Sequence, residues 1–468
     1  MMADYKMLIG GVLVDGDRTL DVINPATEKP FATVACASEA QADAAIAAAK
    51  AAGPAWAATP LAERRKAVMA LADAIEMRAD DFAAVITGEQ GKPTLEAKGE
   101  VAGTVAALRH YCTIDLPDRV IRDNEKGYIE VRHKPLGVVV GIYAWNFPLM
   151  MASWKLGPAV LAGNTVVLKP APTTPAVSLL LGELCRDIFS AGVVNVIADN
   201  NDLGAHLTSH PDVAKVAFTG SIATGKRIAA SGADTLKRLT LELGGNDAAI
   251  VLEDVDIKRT AKAIFNNAFL NNGQVCVAIK RAYVHDAIYD AICDELAALA
   301  QAAVVGDGSQ EGTRLGPIQN RAQYEKIKSF IDSARADGKI IAGGEVMERE
   351  GYFVRPTIVR DVTDGHRVVD EEQFGPILPV IRFSHVEQAI ASANAGEAGL
   401  GGSVWSGDLA RATEIAGRIE SGQVWVNQHL AVGPHIPMAG FKSSGLGVEQ
   451  SVEGLAEFTQ LQVINIAR

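Results

Sequence analysis

Short apolar segments alternate with helix-forming segments between residues 136 and 252. This alternation restricts the possible folds more than any other feature of the chain. The candidate strands are Leu136–Ile142, Thr165–Leu168, Val193–Ile197, Ala214–Phe218 and Ala248–Leu252. The candidate helices between them are Leu149–Leu161, Thr174–Ile188, Ala205–Ser209 and Ala223–Ser231. Strands joined by helical crossovers form parallel sheets, so the sequence predicts a doubly wound α/β domain of the nucleotide-binding type.

Two further regions complete the predicted organisation. Residues 38–110 are mainly helical, because Ser38 and Gln41 form a capping box and Pro60 opens a second helix. A second alternating block covers about 260–430. Its candidate strands are Arg281–His285, Lys339–Ala342 and Gln423–Asn427. Since 468 residues exceed what one hydrophobic core supports, two α/β domains are expected.

Charge and composition exclude several classes of protein. The chain has 44 basic and 56 acidic residues, a net charge of −12, which argues against nucleic acid or an anionic membrane as partner. Pro135–Trp154 is uncharged and long enough to span a bilayer, but Pro148 and its glycines rule out one regular helix. We therefore expect a buried strand, a loop and a helix start in that segment.

The N-terminus and the cysteines bear on the cell compartment. Met1–Asp15 has only a short apolar run and no small-residue cleavage site, so it does not resemble a signal peptide. The five cysteines are odd in number and far apart, which indicates neither a disulfide framework nor a metal site. A reducing, cytoplasmic location is expected.

Three residues stand in contexts that suit catalysis. Cys276 follows Gly273 and polar Asn and Gln residues, a setting more typical of a lined site than of a core cysteine. Glu242 lies between two leucines just before a glycine pair; if it is buried, its raised pKa suits a general base, whereas the alternative is a surface or capping glutamate. Asn146 follows an apolar strand, where its amide could donate to a developing oxyanion or simply belong to a turn.

A fourth motif suits phosphate binding. Gly220, Ser221 and Gly225 follow a strand and open a helix, where backbone N–H groups can bind a pyrophosphate. The spacing of these glycines is not GxGxxG, so the motif alone is weak.

Together these segments resemble the aldehyde dehydrogenase superfamily, in the same order and over nearly the whole chain. The shared motifs are WNFP (145–148), GNTVVLKP (163–170), FTGS (218–221), LELGG (241–245), GQVC (273–276), LGP (315–317), EEQFGP (371–376), WVN (425–427) and GFKSSGLG (440–447). The resemblance implies oxidation of a small-molecule aldehyde to a carboxylic acid. Cys276 is then the nucleophile, Asn146 an oxyanion donor, Glu242 the base that activates water, and Lys155 an aid to proton movement.

The resemblance also implies a cofactor site and a substrate tunnel. The implied cofactor residues are Trp145, Lys169, Pro172, Gly220, Ser221, Gly225, Leu243, Glu372 and Phe374. The implied tunnel residues are Met151, Trp154, Val275, Val277 and His429. Because this second set is largely apolar, a hydrophobic or aromatic aldehyde is expected, although Met151 and Trp154 could equally be core packing.

The segment around Pro172 departs from the family pattern. Many NAD-preferring relatives carry an acidic residue here, two positions after the Lys-Pro pair, that holds the adenosine 2′-hydroxyl. Pro172 removes that carboxylate but supplies no positive charge for a 2′-phosphate. NAD is the expected cofactor, with NADP or dual use left open.

The family resemblance sets the expected domain bounds. A Rossmann-like cofactor domain comprises 1–116 and 136–243, and an α/β catalytic domain comprises 244–446. Residues 117–135 and 447–468 form a β oligomerisation arm with a C-terminal strand, which implies a homodimer or homotetramer.

Three other functions compete with this hypothesis. CoA-acylating relatives generally lack a base at the Glu242 position, so its presence counts against CoA as acyl acceptor. Esterase activity is expected only as a side reaction of the same thiol. A catalytically silent binding protein would have no reason to retain Cys276, Glu242, Asn146, Lys169 and Glu372 together.

Overall fold

The structure of the chain, a computed structural model, describes residues 5–468 and contains two large sheets. The first sheet has eight strands, in the spatial order Val12–Val14, Met7–Ile9, Val194–Val196, Thr165–Lys169, Val138–Ile142, Val213–Thr219, Arg238–Glu242 and Gly445–Leu446. The five strands from Val194–Val196 to Arg238–Glu242 are parallel, and the outer strands pair with them antiparallel. The strand order reverses beside Val138–Ile142, the kind of switch point at which doubly wound sheets bind ligands.

Helices pack around this sheet. They are Glu39–Ala58, Leu61–Met77, Ala79–Gln90, Thr94–Tyr111, Pro148–Leu161, Ala176–Ile188, Gly204–Ser209 and Ile222–Gly232. The predicted capping box is confirmed, since Ser38 Oγ accepts from the Gln41 N–H and Gln41 Oε1 accepts from the Ser38 N–H. Pro60 immediately precedes the second helix rather than being its first residue. The predicted succession of strand, loop and helix within Pro135–Trp154 is also confirmed.

The second sheet has seven strands and its own helices. Its spatial order is Lys339–Ala342, Thr357–Val362, Ile377–Phe383, Ile279–His285, Asp247–Val251, Gly401–Trp405 and Gln423–Val426. Only Lys339–Ala342 pairs antiparallel. The later helices are Ile257–Phe269, Tyr289–Ala302, Arg321–Asp337, Arg367–Asp370, Val386–Asn394, Leu409–Ala416 and Ser451–Ala456. The predicted α/β fold with two parallel sheets is confirmed.

A three-stranded antiparallel sheet stands apart from both. It joins Arg119–Asn124, Gly127–Pro135 and Thr459–Ile466. The last strand exposes Leu461 and Val463, at 64% and 61% of their surface. Short hairpins elsewhere pair Arg18–Asn24 with Lys29–Cys36 and Ala398–Gly399 with Phe441–Lys442. In residues 5–468, no helix is both long and apolar enough to cross a membrane.

Candidate active site

Three predicted site residues meet at the edge of the first sheet. Asn146 follows the strand Val138–Ile142, and Glu242 ends the strand Arg238–Glu242 of the same sheet. Cys276 lies on the loop that leads into the second sheet. All three line one cavity of about 190 Å³. The cavity therefore lies at the carboxyl ends of parallel strands, where open α/β folds bind their ligands.

The loop before Cys276 has an unusual backbone. Asn271, Asn272 and Gly273 have φ angles of 47°, 57° and 75°, a left-handed conformation that asparagine and glycine tolerate best. A Cβ atom at Gly273 would lie 2.3 Å from the carbonyl oxygen of Gly375, so no larger residue fits. Lys280 Nζ donates to the carbonyl oxygen of Gly273 at 3.0 Å. These constraints fix the position of the loop that carries the thiol.

Asn146 is buried and its orientation is fixed. Its Nδ2 donates to the carbonyl oxygen of Gln274 at 3.0 Å, which leaves the second amide hydrogen for another acceptor. Lys92 Nζ and Asn271 Nδ2 donate to the Asn146 carbonyl oxygen at 2.7 and 3.0 Å. The backbone N–H of Cys276 has no acceptor within residues 5–468. Two N–H donors are thus available beside the thiol, as an oxyanion hole requires.

Glu242 is a buried carboxyl with a strongly raised pKa. Its pKa is raised from 4.5 to about 8, mainly by burial and also by the negative charge of Glu449, whereas the charge of Lys155 lowers it. Its Oε1 has no hydrogen-bond partner in the described part of the chain. A carboxyl with a pKa near 8 exchanges protons close to neutral pH, which suits a general base.

The Cys276 thiol is half-buried beside this carboxyl. Burial raises its pKa well above the usual value of 9.0, and the charge of Glu242 and a hydrogen bond with it raise the pKa further. The thiol is therefore protonated at neutral pH in this structure. Because only the thiolate is strongly nucleophilic, reaction requires a proton acceptor, and Glu242 occupies that place.

A buried ion pair lies close enough to Glu242 to change the pKa of its carboxyl. Lys155 Nζ donates to Thr219 Oγ1 at 2.6 Å and pairs with Glu449 Oε1 at 2.5 Å. Lys155 was predicted from the family pattern, whereas no local pattern marks Glu449, which comes from a loop near the C-terminus. The two charges affect the pKa of Glu242 in opposite directions, so together they tune it.

Predicted cofactor residues line the same cavity. The rings of Trp145 and Phe374 meet edge to face, with centroids 5.3 Å apart. Glu372 also lines the cavity, and its Oε1 accepts from the Gly245 N–H at 3.2 Å. A Cβ atom at Gly244 would lie 2.6 Å from Glu372 Oε2, so glycine is needed for this close approach.

The predicted phosphate-binding turn also lines this cavity. Gly220, Ser221 and Leu243 line the cavity, and Ser221 is the N-cap of the helix Ile222–Gly232. A Cβ atom at Gly225 would lie 2.5 Å from Leu243 Cδ1, so this glycine lets the helix approach the strand closely. A helix N-terminus beside a cavity offers free N–H groups and a positive dipole to a phosphate.

Comparison with known proteins agrees with this geometry. The profile of the Aldehyde dehydrogenase family matches residues 13–464. Aldehyde dehydrogenase LUC3 from Fusarium sp is 38% identical, over 98% of this chain and 98% of its own length. Phenylacetaldehyde dehydrogenase from Pseudomonas fluorescens is 38% identical, over 99% of this chain and 96% of its own. The solved betaine aldehyde dehydrogenase from Staphylococcus aureus, in complex with NAD⁺, has a TM-score of 0.96 at 30% identity, over 99% of this chain and 94% of that chain. The chain belongs to the aldehyde dehydrogenase family.

Aldehyde dehydrogenases oxidise aldehydes with NAD or NADP, and the groups that line this cavity suit part of such a cofactor. An aromatic pair, a helix N-terminus and a carboxylate line it together with the thiol. These are groups that contact a nicotinamide, a phosphate and the hydroxyls of a ribose.

Lys169 and Pro172, also predicted for the cofactor, do not line this cavity. Lys169 ends the strand Thr165–Lys169 and is buried, and its Nζ pairs with Asp199 Oδ1 at 2.5 Å. Pro172 lies half-buried three residues later. Asp199 was not predicted, because no motif in the sequence pairs it with Lys169.

The predicted substrate residues of this aldehyde dehydrogenase fall into two groups. Met151 lines the cavity, and Trp154, Val275 and Val277 belong to one apolar cluster with Cys276. His429 is buried against Ser403 Oγ and the Val277 carbonyl oxygen and lines a separate cavity of about 530 Å³. The sequence did not single out several further members of the apolar cluster, among them Leu270, Leu430 and Ala431.

Proposed function

We propose that this aldehyde dehydrogenase converts a hydrophobic or aromatic aldehyde into its carboxylic acid, with Cys276 as nucleophile. The observation that carries the proposal is the convergence of Cys276, Glu242 and Asn146 on one cavity that Trp145 and Phe374 also line. A thiol, a base and an amide donor around one space are the groups that acyl transfer through a thioester needs.

The first step is activation of the thiol. Glu242 accepts the proton of the Cys276 thiol, and the resulting thiolate attacks the aldehyde carbon. The carbonyl oxygen becomes negative and accepts hydrogen bonds from Asn146 Nδ2 and from the Cys276 N–H. Both donors are held in place before the substrate arrives, so they stabilise the adduct without reorganisation.

Bound NAD(P) would supply the hydride acceptor, and loss of the hydride would leave a thioester on Cys276 Sγ. Glu242 first releases the thiol proton to solvent, then takes a proton from water, and the hydroxide adds to the thioester carbon. The C–S bond breaks, the carboxylic acid leaves, and the sulfur recovers a proton. Lys155, paired with Glu449, stabilises the ionised form of Glu242 and assists the return of its proton.

The walls beside Cys276 support an apolar substrate. Trp154, Val275, Val277 and Leu430 pack in the same cluster as the thiol. A charged aldehyde would lose its hydration there without gaining a paired charge, whereas an aromatic or aliphatic one gains from burial of its surface. The substrate in the name of one relative, phenylacetaldehyde dehydrogenase, is an aromatic aldehyde and agrees with this preference.

The organisation of the chain follows from the same family. We propose 1–116 and 136–243 as the cofactor domain, of which the structure describes residues from 5 onwards, and 244–446 as the catalytic domain. Residues 117–135 and 447–468 form the arm, whose exposed apolar strand Thr459–Ile466 joins subunits in a dimer or tetramer.

The test is reduction of NAD⁺ and NADP⁺ by the purified protein with a panel of aldehydes. The panel contains phenylacetaldehyde, benzaldehyde, hexanal, betaine aldehyde and succinic semialdehyde, and the acid product is identified by mass spectrometry. We expect the three uncharged aldehydes to give the highest kcat/KM. Cys276→Ala should abolish turnover, whereas Cys112→Ala, at another half-buried cysteine, should leave it unchanged. Full activity in Cys276→Ala, or a preference for the charged aldehydes, would contradict the proposal.

A further inference from the structure

An unexplained ion pair lies at the edge of the first sheet on which the cavity opens. Lys169 ends one parallel strand, and Asp199 follows the adjacent strand Val194–Val196. Lys169 Nζ lies 2.5 Å from Asp199 Oδ1, and Asp199 Oδ2 accepts from the Leu203 N–H at 2.9 Å. The two side chains are 4% and 0% exposed. Both oxygens of Asp199 are therefore engaged, and the lysine charge is neutralised by a rigidly held partner.

The other charges around Asp199 are also compensated. Arg18 lies close enough to both Asp199 and Asp202 for their charges to raise its pKa. Arg18 Nη1 pairs with Asp202 Oδ2 at 2.6 Å. Each cation of this group thus has its own carboxylate, and no positive charge remains uncompensated among these four residues.

This arrangement bears on the choice between two nucleotides. NADP differs from NAD by a phosphate on the adenosine ribose, which requires an uncompensated cation, often an arginine. In doubly wound folds, an acidic residue near a strand end favours the unmodified 2′-hydroxyl. Pro172 gives this chain no carboxylate two positions after its Lys-Pro pair. Asp199 places one beside Lys169 from the neighbouring strand instead.

We propose that Asp199 is the residue that makes this enzyme select NAD over NADP, because it neutralises Lys169 where the adenosine ribose binds. The proposal rests on the proposed function, and the place of that ribose beside Lys169 is the one that the family resemblance implies. Asp199 acts through Lys169 and is a positioning residue rather than a catalytic one.

The test is calorimetric titration of the full-length protein with NAD⁺ and with NADP⁺, without aldehyde. Wild type should bind NAD⁺ at least about tenfold more tightly than NADP⁺. Asp199→Asn keeps an acceptor for the Leu203 N–H and leaves Lys169 charged, so the Kd ratio should shift toward NADP⁺ by about tenfold or more. Asp199→Glu, which keeps the charge, should retain the preference for NAD⁺.

The matched control is Asp212→Asn. Asp212 pairs with Lys50 at 2.5 Å and immediately precedes the strand Val213–Thr219, so it lies at the opposite edge of the same sheet. The Asp212→Asn variant should leave the ratio of the Kd values for NAD⁺ and NADP⁺ unchanged. If Asp199→Asn does not fold, as judged by circular dichroism, Asp199→Ser replaces it with the same expected shift.

Three results would overturn the inference. One is a wild type that binds both nucleotides equally or prefers NADP⁺. Another is an unchanged ratio in folded Asp199→Asn or Asp199→Ser. The third is a wild type that binds neither nucleotide. That result would overturn the proposed function as well, whereas the first two results would overturn only the inference about Asp199.

Discussion

Replacing Glu242 with glutamine should make the protein more stable while it removes the activity. Glu242 is 4% exposed, its Oε1 has no partner within residues 5–468, and its pKa is raised to about 8. The folded protein therefore bears a cost near neutral pH, because it keeps this carboxyl protonated where the unfolded chain would ionise it. Glutamine has nearly the same shape and never ionises, so it avoids that cost.

The size and sign of the effect follow from proton linkage. The unfolded chain ionises this carboxyl near pH 4.5, but the folded protein does so only near pH 8. Between these values the folded state binds more protons, so the free energy of unfolding falls as pH rises. The cost to wild type is about 3 kcal/mol at pH 7 and about 1 kcal/mol or less at pH 5. Glu242→Gln should gain this amount, which corresponds to a rise in Tm of roughly 3 °C at pH 7 for a chain of 468 residues.

The assay is thermal unfolding of both proteins from pH 5 to pH 9. The control is Glu253→Gln, since Glu253 pairs with Arg411 at 2.8 Å and that hydrogen bond lowers its pKa. The control should show no gain in Tm. A Tm difference between wild type and Glu242→Gln that is the same at every pH would refute the reasoning, as would a less stable variant at pH 7.

Three further predictions concern the donor, the thiol and the arm. Asn146→Ala should lower kcat by about 100-fold to 1,000-fold, because one oxyanion donor is lost; a loss below about threefold would remove Asn146 from the mechanism. Alkylation of Cys276 by iodoacetamide should accelerate as pH rises past 8, because its thiol pKa is raised well above 9.0; a rate that is flat from pH 6 to pH 10 would contradict this. Leu461→Arg combined with Val463→Glu should dissociate the oligomer in analytical ultracentrifugation, because both side chains are exposed on the arm; an unchanged sedimentation coefficient would exclude this strand from the interface.

The sheets were largely predictable because buried parallel strands are continuous apolar runs. Val138–Ile142 and Thr165–Lys169 were predicted to within two residues at each end. Arg238–Glu242 was not predicted as a strand, since Arg238, Thr240 and Glu242 interrupt the apolar pattern. One reason why this polar strand can be buried is that Lys215 Nζ donates to Thr240 Oγ1 at 2.6 Å. No local pattern in the sequence reveals this contact.

The candidate site was predictable where the family motifs are contiguous, as around Cys276 and Glu242. Partners that arrive from distant segments were not, and Glu449 and Asp199 are the two examples. The substrate side was predicted only in part: both ring nitrogens of His429 are engaged, by Ser403 and the Val277 carbonyl oxygen, whereas the next residue, Leu430, packs in the cluster that contains Cys276. The conformation of the loop decides which of its side chains line a tunnel, and the sequence does not give that conformation.

The most direct test of the account is the detection of an acyl group on Cys276. Wild type and Glu242→Gln are mixed with NAD⁺ and phenylacetaldehyde, quenched in acid within the first turnover, digested and measured by mass spectrometry. We expect the peptide that contains Cys276 to gain the mass of the aldehyde less two hydrogen atoms. The acylated fraction reached within the first turnover should be smaller in Glu242→Gln, because the thiol loses the base that accepts its proton. Acid production without any acylated peptide, or an acyl group on another residue, would contradict the assignment of Cys276 as nucleophile.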